Sequence, residues 1–156
     1  MKLYLALKLV HLLGSAVLFG TGLGIAFFLW IAHRTRDPAV IAHTARIVVI
    51  ADAVFTATAV VAQPLSGALL AWYTGYSFFE RWIVLSLTLY VLVGACWLPV
   101  VWIQMQLRDL ATAAASSKTS LPERYYRLFR IWFWLGWPAF AGVIAIFALM
   151  IWKPAN

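Results

Sequence analysis

The sequence predicts an all-α integral membrane protein, an up-down-up-down antiparallel bundle of four transmembrane helices. Of its 156 residues, 65% are hydrophobic, 16% are aromatic and only 11% are charged; soluble domains have about twice that charged share. The mean hydropathy is +0.91. A soluble domain of this length cannot bury so much apolar surface. Soluble enzymes and nucleic-acid-binding modules are therefore excluded.

Four apolar stretches are long enough to cross a hydrocarbon core about 30 Å thick. They cover about residues 3–32, 40–72, 82–107 and 131–152 of a single domain, 1–156. Short connections predict antiparallel neighbours. The segment Leu110–Leu121 is rich in Ala, Ser and Thr, and we predict a connecting loop there. The first stretch is too long for a signal peptide, so we interpret it as a transmembrane helix.

The basic residues predict the orientation of the bundle. The net charge of +7 comes from 12 Lys and Arg against 5 Asp and Glu. Most of the cations cluster around the first and third connections, namely Arg34, Arg36, Arg46, Arg108, Lys118, Arg124, Arg127 and Arg130. By the positive-inside rule these connections face the cytoplasm, and both termini lie on the outer side. The charge thus reflects membrane topology, and we expect no nucleic-acid partner.

The first span carries a stripe of polar residues. Lys8, His11 and Ser15 recur at helical spacing. Because an ionisable group in hydrocarbon costs several kcal/mol, Lys8 and His11 are candidate functional residues. A neutral His11 can form a hydrogen bond across the bundle or offer a lone pair to a metal, and the sequence leaves both open. We expect Gln63 and Tyr90 at a similar depth, lining the same pocket.

Asp52 is the acidic residue inside the second span, and Thr56 and Gln63 share its helical face. We predict a structural ion pair with a basic residue near the cytoplasmic side; the candidates are Arg46, Arg108 and Arg130. The alternative is a proton relay to a bound redox group. Gln104 adds an uncharged polar group to the third span.

The sequence also predicts how several other residues pack. Gly14, Gly20, Gly22 and Gly24 allow close approach of a neighbouring helix, including that of a second copy in a homodimer. Trp97 and Trp134 lie far from the span ends and are predicted to pack internally. His33 and His43 flank the first connection and are predicted to be solvated loop residues.

The residue order resembles a bacterial family of predicted integral membrane proteins called domain of unknown function 2269. The likeness lies in LKLVHLLG of the first span, RDPAVIA of the first connection and ADAVFTATAVVAQPLSG of the second span. It continues through CWLPVVWIQMQLRDL and WFWLGWPAFAG. It covers nearly the whole chain and implies a multi-pass protein of the bacterial cytoplasmic (inner) membrane, without implying an activity.

A weaker likeness concerns the first span alone. The run from Leu7 to His33 resembles the first helix of the bacterial haem-dependent protoporphyrinogen oxidase, which also has a Lys-x-x-His start and a His about 22 residues later. The copper-resistance D membrane family begins similarly. In the oxidase family the first-helix histidine binds haem b, and this corresponds to His11. The Trp-Phe-Ala-Gly and Pro-Arg elements of the oxidase helix are missing.

Three hypotheses follow. The first is a membrane protein that binds haem b through His11 and serves electron transfer, with quinone as a further candidate ligand. Lys8 would pair with a propionate, and a second axial ligand would be absent or come from another subunit. The second hypothesis is a non-enzymatic accessory or assembly subunit of a membrane complex. The third is a metal or small-solute permease using Asp52 and His11. Whether the protein is an enzyme stays open.

Overall fold

The computed structural model describes residues 2–154, which form helices and no strands. The helices are α1 (Lys2–Thr35), α2 (Pro38–Ala51), α3 (Ala57–Thr74), α4 (Arg81–Ser116) and α5 (Glu123–Trp152). A π-helical segment, Asp52–Thr56, joins α2 to α3 into one continuous span. Four spans are therefore long and apolar enough to cross a membrane. The predicted fold class is confirmed.

Local sequence signals explain where the second span begins and ends. The Asp37 carboxylate accepts hydrogen bonds from the backbone N–H groups of Ala39 and Val40, and Pro38 occupies the first turn. These are typical features of a helix N-terminus. At the other end Gly75 adopts φ 75°, the left-handed conformation that stops a helix at little cost.

The predicted loop at Leu110–Leu121 is wrong for its first half, because α4 continues to Ser116. Alanine is the best helix former, and its small side chain lets α4 approach its neighbours. Ala111 and Ala114 are buried in the core. The fourth span, helix α5, also begins earlier than predicted, at Glu123. The lack of bulky apolar residues thus marks a tightly packed part of the helix.

We call the end of the bundle that carries the connections 36–37 and 117–122 the basic end, and the opposite end the terminal end. The main hydrophobic core lies toward the basic end, where side chains of α1, α2, α4 and α5 interlock. Its most deeply buried apolar members are Leu29, Ile41, Leu107 and Tyr125. This half of the bundle is close-packed.

The prediction for His33 is wrong. It lies in the last turn of α1, and its ring stacks on Phe129 with centroids 3.6 Å apart. Its Nδ1 lies 3.2 Å from the hydroxyl oxygen of Tyr125. The early start of α5 explains the difference, since it brings two aromatic rings beside the end of α1. His43 is exposed, on α2 and not in a loop.

Away from the main core the closest helix pairs are α1 with α3 and α4 with α5. At the terminal end a small cluster of Ala71, Trp82, Ile83 and Met150 joins α3 to α4 and α5. A Cβ at Gly14 would collide with the amide of Gln63, and one at Gly142 would lie 2.5 Å from Cγ2 of Val93. At Gly14 the neighbour is thus the side chain of Gln63 on α3, and close backbone approach stays a prediction. At Gly20, Gly22 and Gly24 a Cβ would meet nothing within 4 Å, so these three glycines are not needed for packing within the monomer.

The pairing of α4 with α5 gives a test. Gly142→Ala should lower the free energy of unfolding relative to Gly136→Ala by about 1–3 kcal/mol, because overpacking strains a tight contact. Gly136 is the matched control, since a Cβ there meets nothing within 4 Å. Unfolding in mixed detergent micelles measures the difference. Val93→Ala should remove it; equal stability of the two alanine variants would contradict this account of the helix pair.

Candidate functional site

A large cavity of about 1260 Å³ lies between the two helix pairs. Its lining is mostly apolar and comes from α1, the π segment, α3, α4 and α5. Long side chains cross it: the Tyr90 hydroxyl donates to the Val60 carbonyl, and Phe19 contacts the rings of Phe140 and Phe147. The cavity follows from the fold, because the paired helices diverge where the core of the basic end stops.

The polar residues predicted to form a site all line this cavity. They are Lys8, His11, Ser15, Gln63 and Tyr90. Gln63 Nε2 donates a 3.0 Å hydrogen bond to the backbone carbonyl of His11. The Ser15 hydroxyl is 3.0 Å from the same carbonyl, so its donor is used within α1. The structure thus places the predicted residues along one cavity; their binding role stays a prediction.

His11 is the most constrained of these side chains. Its Nδ1 lies 2.8 Å from Oγ of Ser66, and that hydroxyl is 2.7 Å from the carbonyl of Ala62. Since the serine has one hydrogen and Ala62 accepts it, we infer that His11 Nδ1–H donates to Ser66 Oγ. The neutral ring then carries its lone pair on Nε2. Nε2 has no hydrogen-bond partner among residues 2–154.

Gly67 makes the room for this ring. A Cβ at Gly67 would lie 3.2 Å from Cε1 of His11, tighter than ordinary van der Waals contact. Neither Ser66 nor Gly67 was singled out from the sequence as part of the site. The one sequence feature that could have identified them is their position in the run of polar and small residues Gln63–Gly67. Their contact with His11 could not be predicted, because a single sequence does not show that α1 pairs with α3.

The predicted ion pair of Asp52 is not formed. The ion pair within residues 2–154 joins Arg108 to its neighbour Asp109 at 2.8 Å. Arg46 is exposed on α2, and Arg130 lines a separate pocket. Asp52 instead turns into the bundle and is 2% exposed. The basic side chains stay near the end of the bundle, where water can solvate them.

Asp52 has an indole as its partner. Nε1 of Trp97 on α4 donates to Oδ1 of Asp52 over 3.3 Å. Trp97 is half-buried and lines the cavity, whereas Trp134, also predicted to pack internally, is 66% exposed. The prediction for Trp134 is wrong because its face of α5 points away from the bundle.

A smaller pocket of about 330 Å³ lies nearer the basic end. His33, Tyr126, Phe129 and Arg130 contribute to it, and Trp30 and Phe133 line both this pocket and the large cavity. No three His, Cys, Asp or Glu side chains within residues 2–154 are grouped as metal ligands.

Comparison with known families matches residues 5–154 to the family described as "Predicted integral membrane protein (DUF2269)". The chain belongs to this family. The match includes all four spans and confirms the resemblance noted in the sequence. No curated protein and no solved structure matches the chain. For this DUF2269 member, function must therefore be argued from the cavity itself.

The surroundings of Asp52 give a second test. Breaking a buried ion pair costs about 3–5 kcal/mol, because a charge is left unpaired. Since Asp52 has no cationic partner here, Asp52→Asn should not lower the free energy of unfolding in mixed micelles. Asn keeps an acceptor for Trp97. A loss near 3 kcal/mol, reproduced by Arg46→Gln or Arg130→Gln, would contradict this arrangement.

Proposed function

We propose that this membrane protein binds haem b through His11 and serves electron transfer in the bacterial cytoplasmic membrane. The observation that carries the proposal is the hydrogen bond between His11 Nδ1 and Ser66 Oγ. Metal-ligating histidines nearly always donate their second ring N–H to a protein acceptor, which fixes the tautomer and the ring orientation. His11 has this arrangement and keeps Nε2 available.

The size and lining of the space beside His11 support a planar macrocycle as its ligand. Ligand pockets commonly enclose about 300–1000 Å³, and this cavity has about 1260 Å³ with a largely apolar lining. Because Gly67 has no side chain, it leaves the nearby edge of the His11 imidazole uncovered. Phe19 and Phe140 supply flat apolar surface from the facing helices. These features support a porphyrin as the ligand of the cavity, rather than a small hydrated ion.

The ends of the cavity also suit haem. Lys8 lines it one turn closer to the terminal end than His11, where an ammonium group can meet a propionate. His33 and His43 lie toward the basic end, so within one chain His11 would be the single histidine ligand. Haem, when bound, supplies one-electron exchange at iron. The chain's part is to hold the iron through His11 and to exclude water from it.

Orientation belongs to the same proposal. The cations of the first and third connections all gather at the basic end, which supports a cytoplasmic position for that end. Both termini and His11 then lie toward the outer, periplasmic side. Electron exchange at His11 would take place in the outer half of the bilayer.

His11→Ala should remove haem from the purified protein without unfolding it, because Ala leaves no lone pair for iron. We expect less than a tenth of the wild-type haem content, measured by the pyridine haemochrome assay after growth with added haem precursor. His43→Ala is the matched control, since His43 is exposed on α2. Equal haem content in His11→Ala and wild type would contradict the proposal. A colourless wild-type protein would favour an accessory subunit instead.

Ser66→Ala tests the supporting hydrogen bond separately. Loss of a partner to a metal-bound histidine lowers affinity about 10- to 100-fold, so haem titration into the apoprotein should give a correspondingly higher Kd. The control is Ser86→Ala, because the Ser86 hydroxyl also lines the cavity and donates within its own helix, to Trp82 over 2.6 Å. An unchanged Kd for Ser66→Ala would show that Ser66 does not orient a ligand.

A further inference from the structure

Four buried polar atoms without a close hydrogen-bond partner among residues 2–154 lie along the deep part of the cavity. They are Oδ2 of Asp52, Oγ1 of Thr56, Oε1 of Gln104 and Nε1 of Trp132. Their residues are 2%, 6%, 1% and 6% exposed, and all four line the cavity. An unsatisfied buried polar group costs about 1–3 kcal/mol. The Thr56 hydroxyl lies close enough to Asp52 for a weak hydrogen bond to its carboxylate, but Oε1 of Gln104 and Nε1 of Trp132 have no such neighbour among residues 2–154, so the group needs a common explanation.

These residues lie at one level of the bundle although they come from three helices. Asp52, Gln104 and Trp132 are each roughly 20 to 23 residues from the terminal end of their helix, or roughly 30 to 35 Å at about 1.5 Å per residue. His11 bonds to Ser66, which lies 14 residues after Asp52, or roughly 20 Å along the helix. The polar group is therefore separate from His11.

The π-helical segment contributes two of the four groups. It runs from Asp52 to Thr56, so both side chains come from its first and last residues. Single π-helical turns inside α-helices are frequent at functional sites. Both residues are buried, whereas Val54 and Phe55 between them are exposed on the other face. The segment thus turns its polar members toward the cavity.

The four atoms are a mixed set of donors and acceptors. The carboxylate and the amide oxygen accept, the indole donates, and the hydroxyl does both. A metal cation is a poor fit, because the indole N–H groups of Trp132 and Trp97 face the same region. A hydroxyl group is a good fit, because it donates to Asp52 or Gln104 and accepts from Trp132. The surrounding cavity is apolar, which suits a hydrocarbon body.

We propose that this group of Asp52, Thr56, Gln104 and Trp132, here called the deep polar site, binds the hydroxyl head of an apolar amphiphile. The ligand class is a quinol. Its two hydroxyls can reach two acceptors, and its ring can lie beside the Trp97 and Trp132 indoles. A polyprenol has the same hydroxyl chemistry with a single donor. The inference deepens the proposed redox function by naming a partner class, but none of its evidence involves His11.

The test is calorimetric titration of the protein in nanodiscs of one synthetic lipid. The probes are a short-chain alkyl hydroquinone kept reduced, its dimethyl ether and a short polyprenol. We expect the hydroquinone to bind at least about tenfold tighter than the ether, which cannot donate. Asp52→Asn and Gln104→Leu should each weaken hydroquinone binding about tenfold or more. Asp109→Asn is the matched control, since that carboxylate is exposed and paired with Arg108.

Equal binding of hydroquinone and ether, or unchanged binding in both deep-site variants, would overturn the proposal and leave water as the partner of these atoms. Tighter binding of the polyprenol, with the same sensitivity to Asp52→Asn, would support the hydroxyl site and assign it to a polyprenol. The haem content of the same samples is measured separately, from their Soret absorbance. Failure of the haem proposal is thus distinguishable from failure of this one. Thermal unfolding of each variant in the same nanodiscs confirms that it is folded.

Discussion

The close packing of α1 on α3 and of α4 on α5 is the constraint on which the rest of the structure depends. Gly14 and Gly67 bring α1 and α3 together, and Gly142 brings α5 against α4. In a membrane the hydrophobic effect does not drive helices together, so their association depends on close van der Waals packing, which small residues make possible. Each pair is therefore tight by itself, and the space between the pairs is left to long side chains. The cavity is a consequence of this division.

The cavity between the two helix pairs contains two kinds of polar environment. Near the terminal end, Gln63 and Ser66 satisfy the polar groups of α1 and orient one edge of His11. Deeper in the bundle, one carboxylate oxygen of Asp52 and the amide oxygen of Gln104 are buried without a hydrogen-bond partner among residues 2–154. A satisfied network rigidifies its surroundings, whereas unsatisfied atoms mark a place for another molecule. A redox group near His11 and a hydroxylated partner near Asp52 would share one apolar compartment.

Much of the fold follows from the sequence because hydropathy and helix length are local properties. The four spans and the polar stripe of α1 are read directly from apolar length and helical period. The loop prediction at Leu110–Leu121 failed in its first half because an alanine-rich segment is a strong helix former whose packing partners are distant in sequence. The ion-pair prediction for Asp52 failed for a related reason. The rotation of each helix about its own axis decides which side chains meet. Only the packed structure therefore shows that Trp97 is the hydrogen-bond partner of Asp52.

The central claim is that His11 holds haem in the cavity, and the most direct measurement is an absorption spectrum of the wild-type protein purified from membranes in mild detergent. The account predicts a near-stoichiometric Soret band, with α and β bands that sharpen after dithionite reduction. A protein that remains colourless, even when haem is supplied during growth, would contradict it.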